Sequence, residues 1–249
     1  IDYADDYEQL EVDLLEGNDV LTFEGNESLY DLSTIELAGG DSDATSDRLD
    51  LVADFENGVT EDVRISPNSA NPDTQDITGL ASGDILASGF EVIGFSGDND
   101  NDDLTVDPGD GNASLRVDND SVSGQDRVTS DVLPEIELSN IDNFAVDTGD
   151  AEAQQVTFVT RDLSGATSYW ADMNSDDTLV IEGHDVDDEY VLSLFDDPNS
   201  GDGDTDDLQI DDTNGRTINT VENTSPGSLV FNTLGGDDTL EVDISSGLI

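Results

Sequence analysis

The chain has 249 residues, 62 of them acidic and six basic, for a formal charge of −56. Such a charge argues against nucleic-acid binding by phosphate neutralisation and against anionic membrane surfaces. It also opposes compaction by self-repulsion, so the expected setting is a high-salt or calcium-bearing extracellular medium, secreted or at a cell surface. The bases are all arginine, and the absence of cysteine removes disulfides, thiol catalysis and thiolate metal sites. No apolar run suits a transmembrane helix or a signal peptide, so no membrane insertion is expected.

In chain order, the sequence reads as short half-buried strands separated by acidic turns. Leu10, Val12 and Leu14 alternate with polar residues and lead into Gly17-Asn18-Asp19-Val20-Leu21. Ile35-Glu36-Leu37 runs into Gly39-Gly40-Asp41, and Asp47-Arg48-Leu49-Asp50-Leu51 and Gln75-Asp76-Ile77 repeat the turn-then-strand pattern weakly. Val92-Ile93-Gly94-Phe95 precedes Gly97-Asp98, and Asn101-Asp102-Asp103-Leu104-Thr105-Val106 follows. Asp126-Arg127-Val128 is another weak copy, and Phe144-Ala145-Val146 precedes Gly149-Asp150. Asp176-Asp177-Thr178-Leu179, Asp206-Asp207-Leu208-Gln209-Ile210 and Gly236-Asp237-Asp238-Thr239-Leu240 complete the series. Helical periodicity is nearly absent, and Gly, Asn, Asp and Ser punctuate at short intervals.

The acidic turns recur about every 28 residues, the mark of a stacked repeat. The predicted fold is all-β: a β-solenoid of about eight to nine coils, three strands to a coil. It forms one elongated domain over residues 1–249 or one repeat unit of a longer protein. A β-sandwich with polar turns is the alternative. Stacking acidic corners places carboxylates in a column that needs cations. Calcium suits it, as a hard ion that takes several oxygens in flexible geometry. The candidate ligands are Asp19, Asp102, Asp103, Asp176, Asp177, Asp206, Asp207, Asp237 and Asp238, expected in a row along one acidic edge. For any one Asp, turn capping and solubility are the competing roles.

Gly236-Asp237-Asp238-Thr239-Leu240, Gly17-Asn18-Asp19-Val20-Leu21 and Gly203-Asp204-Thr205-Asp206-Asp207-Leu208 resemble the glycine- and aspartate-rich nonapeptide of haemolysin-type (RTX) calcium-binding repeats. The resemblance implies that Gly makes the turn, Asp and carbonyls bind calcium, and the apolar residue points inward. Here one degenerate copy falls in each long coil, rather than many back to back. More broadly, Ile141-Asp142-Asn143-Phe144-Ala145-Val146-Asp147 and Leu234-Gly235-Gly236-Asp237-Asp238-Thr239-Leu240-Glu241-Val242-Asp243 resemble segments of large Asp-rich secreted tandem-repeat proteins of marine bacteria such as planctomycetes.

Catalysis is not expected. The single histidine, His184, sits in a turn, the arginines are scattered, and no Ser-His-Asp order or nucleotide loop is present. Tyr169-Trp170 is the one adjacent aromatic pair, a core anchor or a sugar-stacking platform. Asn26, Asn112, Asn119 and Asn223 begin glycosylation sequons. The expected function is an extracellular structural protein, a calcium-stabilised subunit of a head-to-tail filament, surface layer or matrix. Thirteen residues from Asp237 to Ile249 joined to the first seventeen would make one coil, so one unit's end would complete the next unit's beginning. The alternatives are an adhesin or carbohydrate-binding module that engages surface glycans, and a polysaccharide-degrading β-helix enzyme.

Overall fold

The computed structural model of the chain describes residues 9–25, 32–40, 46–53, 61–81, 83–98, 101–149, 153–195, 207–220 and 226–243. Over these residues the protein is all-β, with two large mixed sheets and no α-helix. The first nine strands are β1 (Gln9–Asp13), β2 (Val20–Gly25), β3 (Thr34–Ala38), β4 (Arg48–Ala53), β5 (Asp62–Pro67), β6 (Thr74–Thr78), β7 (Asp84–Ser88), β8 (Val92–Ser96) and β9 (Asp103–Val106). Next come β10 (Ser114–Asn119), β11 (Asp126–Ser130) and β12 (Glu135–Ser139). The last nine are β13 (Ile141–Asp147), β14 (Gln155–Val159), β15 (Ala166–Asp172), β16 (Thr178–Glu182), β17 (Glu189–Phe195), β18 (Asp207–Asp212), β19 (Thr217–Thr220), β20 (Ser228–Asn232) and β21 (Thr239–Asp243).

The first sheet has the order β1-β3-β7-β6-β5-β9-β13-β15-β19-β18-β17-β21, and the second β2-β4-β8-β12-β11-β10-β14-β16-β20. Outside three meanders, the chain passes from one sheet to the other and returns parallel to the strand it left, as β1 to β3 and β2 to β4 do. The meanders β5-β6-β7, β10-β11-β12 and β17-β18-β19 step ahead within one sheet and fold back antiparallel. The described strands thus fall in two sheets, where the sequence predicted coils of three strands. Three predicted turn copies, around Asp76, Asp126 and Asp207, lie instead on the middle strands of the meanders. Period-two alternation specifies which face is buried and not which way the strand runs.

Strands β13–β21 repeat β1–β9 in sheet membership, pairing and strand direction. Corresponding strands start between 127 residues (Asp62 to Glu189) and 136 residues (Asp103 to Thr239) apart. The molecule therefore carries a long internal repeat, with β10–β12 as the link between its halves.

The core lies between the sheets. In β4 the burial alternates strictly, with Leu49, Leu51 and Ala53 inward. Register stacks like on like: Leu21, Leu49, Ile93 and Ile136 form one row, and Phe23, Leu51, Phe95 and Leu138 the next. Full burial of each such side chain is worth about 1.5–3 kcal/mol, against a chain whose acidic outer faces repel one another.

Candidate functional site

Among the described residues, eight acids stand immediately before a strand that the chain enters from the other sheet: Asp19, Asp47, Glu61, Glu91, Asp102, Asp177, Asp188 and Asp238. Here the backbone turns from one sheet into the other, and its inward N–H groups need acceptors. Asp is short enough to supply one from the turn itself. One oxygen reaches along the stack to the equivalent residue of the neighbouring winding. Asp19 N–H donates to Asp47 Oδ1 (2.9 Å), Asp47 N–H to Glu91 Oε2 (2.6 Å), Gln154 N–H to Asp177 Oδ1 (2.8 Å) and Asp188 N–H to Asp238 Oδ1 (3.0 Å). At two of these acids the other oxygen closes the acid's own turn: Asp177 Oδ2 accepts from Asn174 N–H (2.9 Å) and Asp188 Oδ2 from His184 N–H (2.8 Å), whereas Asp47 Oδ2 is buried without a partner. Asp126 works likewise from a meander, accepting Ser164 N–H, Gly165 N–H and the Tyr169 hydroxyl on Oδ2. Hydrogen bonds to a charged acceptor are about twice as strong as neutral ones, so the acids build the corners.

The predicted ligands distribute unevenly. In the doubled turns the acid next to the strand turns inward: Asp177 and Asp102 are buried and Asp238 half-buried, while Asp176 and Asp237 are exposed. Asp103 points to the outer face and accepts from Asn143 Nδ2 (2.7 Å). Asp207 is buried at the start of β18, Asp19 is half-buried before β2, and Asp206 lies outside the described residues. They do not make one row. Asp19 and Asp177 enter the second sheet, and Asp102 and Asp238 the first. Asp47, Glu61, Glu91 and Asp188 were not among the predicted ligands, although each is an acid directly before an alternating strand. Among the described residues, no three acidic or histidine side chains are gathered to a common point as a metal site requires.

One corner departs from the capping pattern. Glu61 and Asp102 precede the paired strands β5 and β9, at 2% and 1% exposure. Both Glu61 oxygens, Asp102 Oδ1 and Asp98 Oδ1 are buried without a hydrogen-bond partner, and among the described residues Asp102 Oδ2 accepts Asp98 N–H. Burial, then contact with Asp102 and the charges of Asp102 and Asp98, pushes the Glu61 carboxyl up to about 8.

The arginines act as braces across the outer faces. Arg48 on β4 pairs with Asp50 and reaches over β8 to Glu137 on β12 (2.6 Å). It crosses at Gly94, where a Cβ would stand 2.4 Å from its Nη2. Arg116 on β10 pairs with Asp118 and reaches over β14 to Glu182 on β16. Arg64 joins Asp107 to Asp147, and Arg127 contacts Asp118 and Glu135. His184 Nε2 lies 3.0 Å from Asp162 Oδ2, and Arg161 reaches buried Asp188. Tyr169 is wholly buried against Phe144, while Trp170 faces outward beside Phe195, so the pair offers no shared stacking platform. Of the sequons, Asn119 bonds Gly124 O and Asp126 through its amide, and Asn26 and Asn223 lie outside the described residues.

No protein-family model matches the chain, and neither a curated protein nor a solved structure does so.

Proposed function

We propose that this chain is an extracellular structural module, a calcium-stabilised β-solenoid joined head to tail in a filament, surface layer or matrix. The solenoid reading rests on the alternation between two sheets with parallel return, and on the internal repeat of that winding.

The observation that carries the structural role is that, among the described residues, the first sheet outruns the second and its last strand leaves apolar side chains exposed. Up to β19 and β20 every strand of the first sheet has a counterpart in the second, and beyond them the first sheet runs on through β18, β17 and β21. Register puts Tyr190, Leu192, Leu194, Leu208, Ile210, Leu240 and Val242 on one side of these three strands. Tyr190 and Ile210 are buried there, and the exposure falls on the terminal strand, where Leu240 is 46% and Val242 50% exposed. An apolar face bounded by open strand edges is a surface for strand addition. In the first half of the repeat the corresponding residues Val63 and Ile65 on β5 and Ile77 on β6 are fully buried.

Sedimentation and electron microscopy of the purified chain with calcium test this reading. End-to-end association that rises with concentration is expected, and Leu240→Asp combined with Val242→Asp should abolish it without unfolding the monomer. A chain that stays monomeric at high concentration with calcium present would refute the assembly role.

A further inference from the structure

The internal repeat allows each strand-entry acid to be compared with its counterpart. Glu61 and Asp102, before β5 and β9, correspond to Asp188 and Asp238, before β17 and β21. In the second half the buried anion is answered in full. Asp188 Oδ1 lies 3.4 Å from Arg161 Nη1, Oδ2 takes His184 N–H, and its own N–H is bound by Asp238. In the first half the same corner holds Glu61, Asp102 and Asp98, with four buried oxygens unpartnered and none of the described ion pairs reaching them. A carboxylate out of water with neither a counter-charge nor a donor is strongly unfavourable, and three together compound the cost.

We propose that Glu61, Asp98 and Asp102 bind one divalent cation of the calcium class, which does at this corner what Arg161 does at the other. The ligand set is all oxygen, the choice of a hard ion. The Asp98–Asp102 turn, closed by Asp98 N–H on Asp102 Oδ2, keeps two of the three acids on one loop. Gly97 lets that loop pack close: a Cβ there would stand 2.5 Å from Asp102 Oδ2 and 2.4 Å from Asn140 O. The three carboxylates do not meet at a common point in this structure; like charges repel, and a cation would reverse the sign of that interaction and draw them together. Calcium tolerates irregular geometry and fills its shell with backbone carbonyls and water.

This site deepens the calcium part of the proposed function and is independent of the assembly surface. The test is calorimetric titration of the full chain with calcium chloride, with terbium luminescence as a second probe. Wild type, Glu61→Gln, Asp98→Asn and the control Asp188→Asn are compared. Glu61→Gln keeps the side chain's shape and, like a protonated acid, needs no cation. The expected result is one fewer tightly bound ion in Glu61→Gln and Asp98→Asn, together with loss of most of the calcium-induced rise in melting temperature. Asp188→Asn should retain both. Equal stoichiometry and equal melting shifts in all four proteins overturn the proposal, and so does a wild-type response that sodium chloride matches at the same ionic strength. A proton shared by Glu61 and Asp102 is the competing arrangement, in which wild type binds no tight ion and Glu61→Gln is simply more stable; that outcome also overturns it. Loss of the ion with assembly intact would leave the filament reading standing, and a bound ion without assembly would remove only that reading.

Discussion

At the scale of single residues, the acids divide by what their oxygens touch rather than by how acidic their surroundings are. Asp177 accepts from Gln154 N–H, Asn174 N–H and Thr148 Oγ1–H, while its neighbour Asp176 is exposed. Removing one partner of a buried hydrogen bond costs about 1–3 kcal/mol, and an exposed substitution usually stays within about 0.5 kcal/mol. Asp177→Asn should therefore lower stability by about 1–3 kcal/mol in urea unfolding, and Asp176→Asn should leave it nearly unchanged. Equal effects of the two would show that the inward acid is not a corner cap. Glu61 sets a pH dependence of opposite sign to the usual carboxylate. Its folded pKa of about 8 lies above the unbound acid's 4.5, so the folded chain holds the extra proton between them. Without divalent cation, this group's contribution is greatest below pH 4.5 and is lost as pH rises towards 8. Melting temperatures across that range, in chelator, should fall more in wild type than in Glu61→Gln.

At the scale of elements, the sequence marks strands well and their direction poorly. Leu49-Asp50-Leu51 and Gln75-Asp76-Ile77 look alike, yet the first is on a parallel strand and the second on the return strand of a meander. Both satisfy the same alternation, and parallel or antiparallel pairing is decided by loop length and by which edge is free. The long repeat was hidden for a related reason. Asp102-Asp103-Leu104-Thr105-Val106-Asp107 and Asp237-Asp238-Thr239-Leu240-Glu241-Val242-Asp243 match as entries to β9 and β21, but each also matches every shorter turn. The candidate corners were legible as doubled Asp, whereas Glu91 is a single acid and Glu61 stands in a Glu-Asp pair, and both take their meaning only from the strands they enter. Packing within the elements is easier to assign. Phe158 on β14 is fully buried, between Val117 on β10 and Ile181 on β16. Truncations of this kind cost about 3–5 kcal/mol. Phe158→Ala should destabilise by that amount, and Thr22→Ala, on the outer side of β2, by far less; similar values would mean that the two-sheet core is not the main source of stability.

At the scale of the whole molecule, the charge of −56 must be managed locally. Strands stack about 4.8 Å apart, so successive entry acids stand closer than the Debye length of about 10 Å at 0.1 M salt, and it shortens to about 3 Å only near 1 M. Ordinary salt therefore does little for charges within one stack, although it weakens repulsion between distant faces. Two local remedies are visible, backbone N–H groups on the inward acids and arginines across the outer faces, and the proposed cations would be a third where neither is available. The first two are fixed by the fold. The third makes stability depend on the medium, because an ion that binds only the folded state adds stability with its concentration. Calcium chloride should raise the melting temperature steeply at millimolar concentration, whereas sodium chloride should act gradually and approach the same value only near molar strength. Scanning calorimetry of the full chain against both salts separates the two. Coincident curves at matched ionic strength would mean that screening alone stabilises the stack, and would sink the calcium reading for every corner at once.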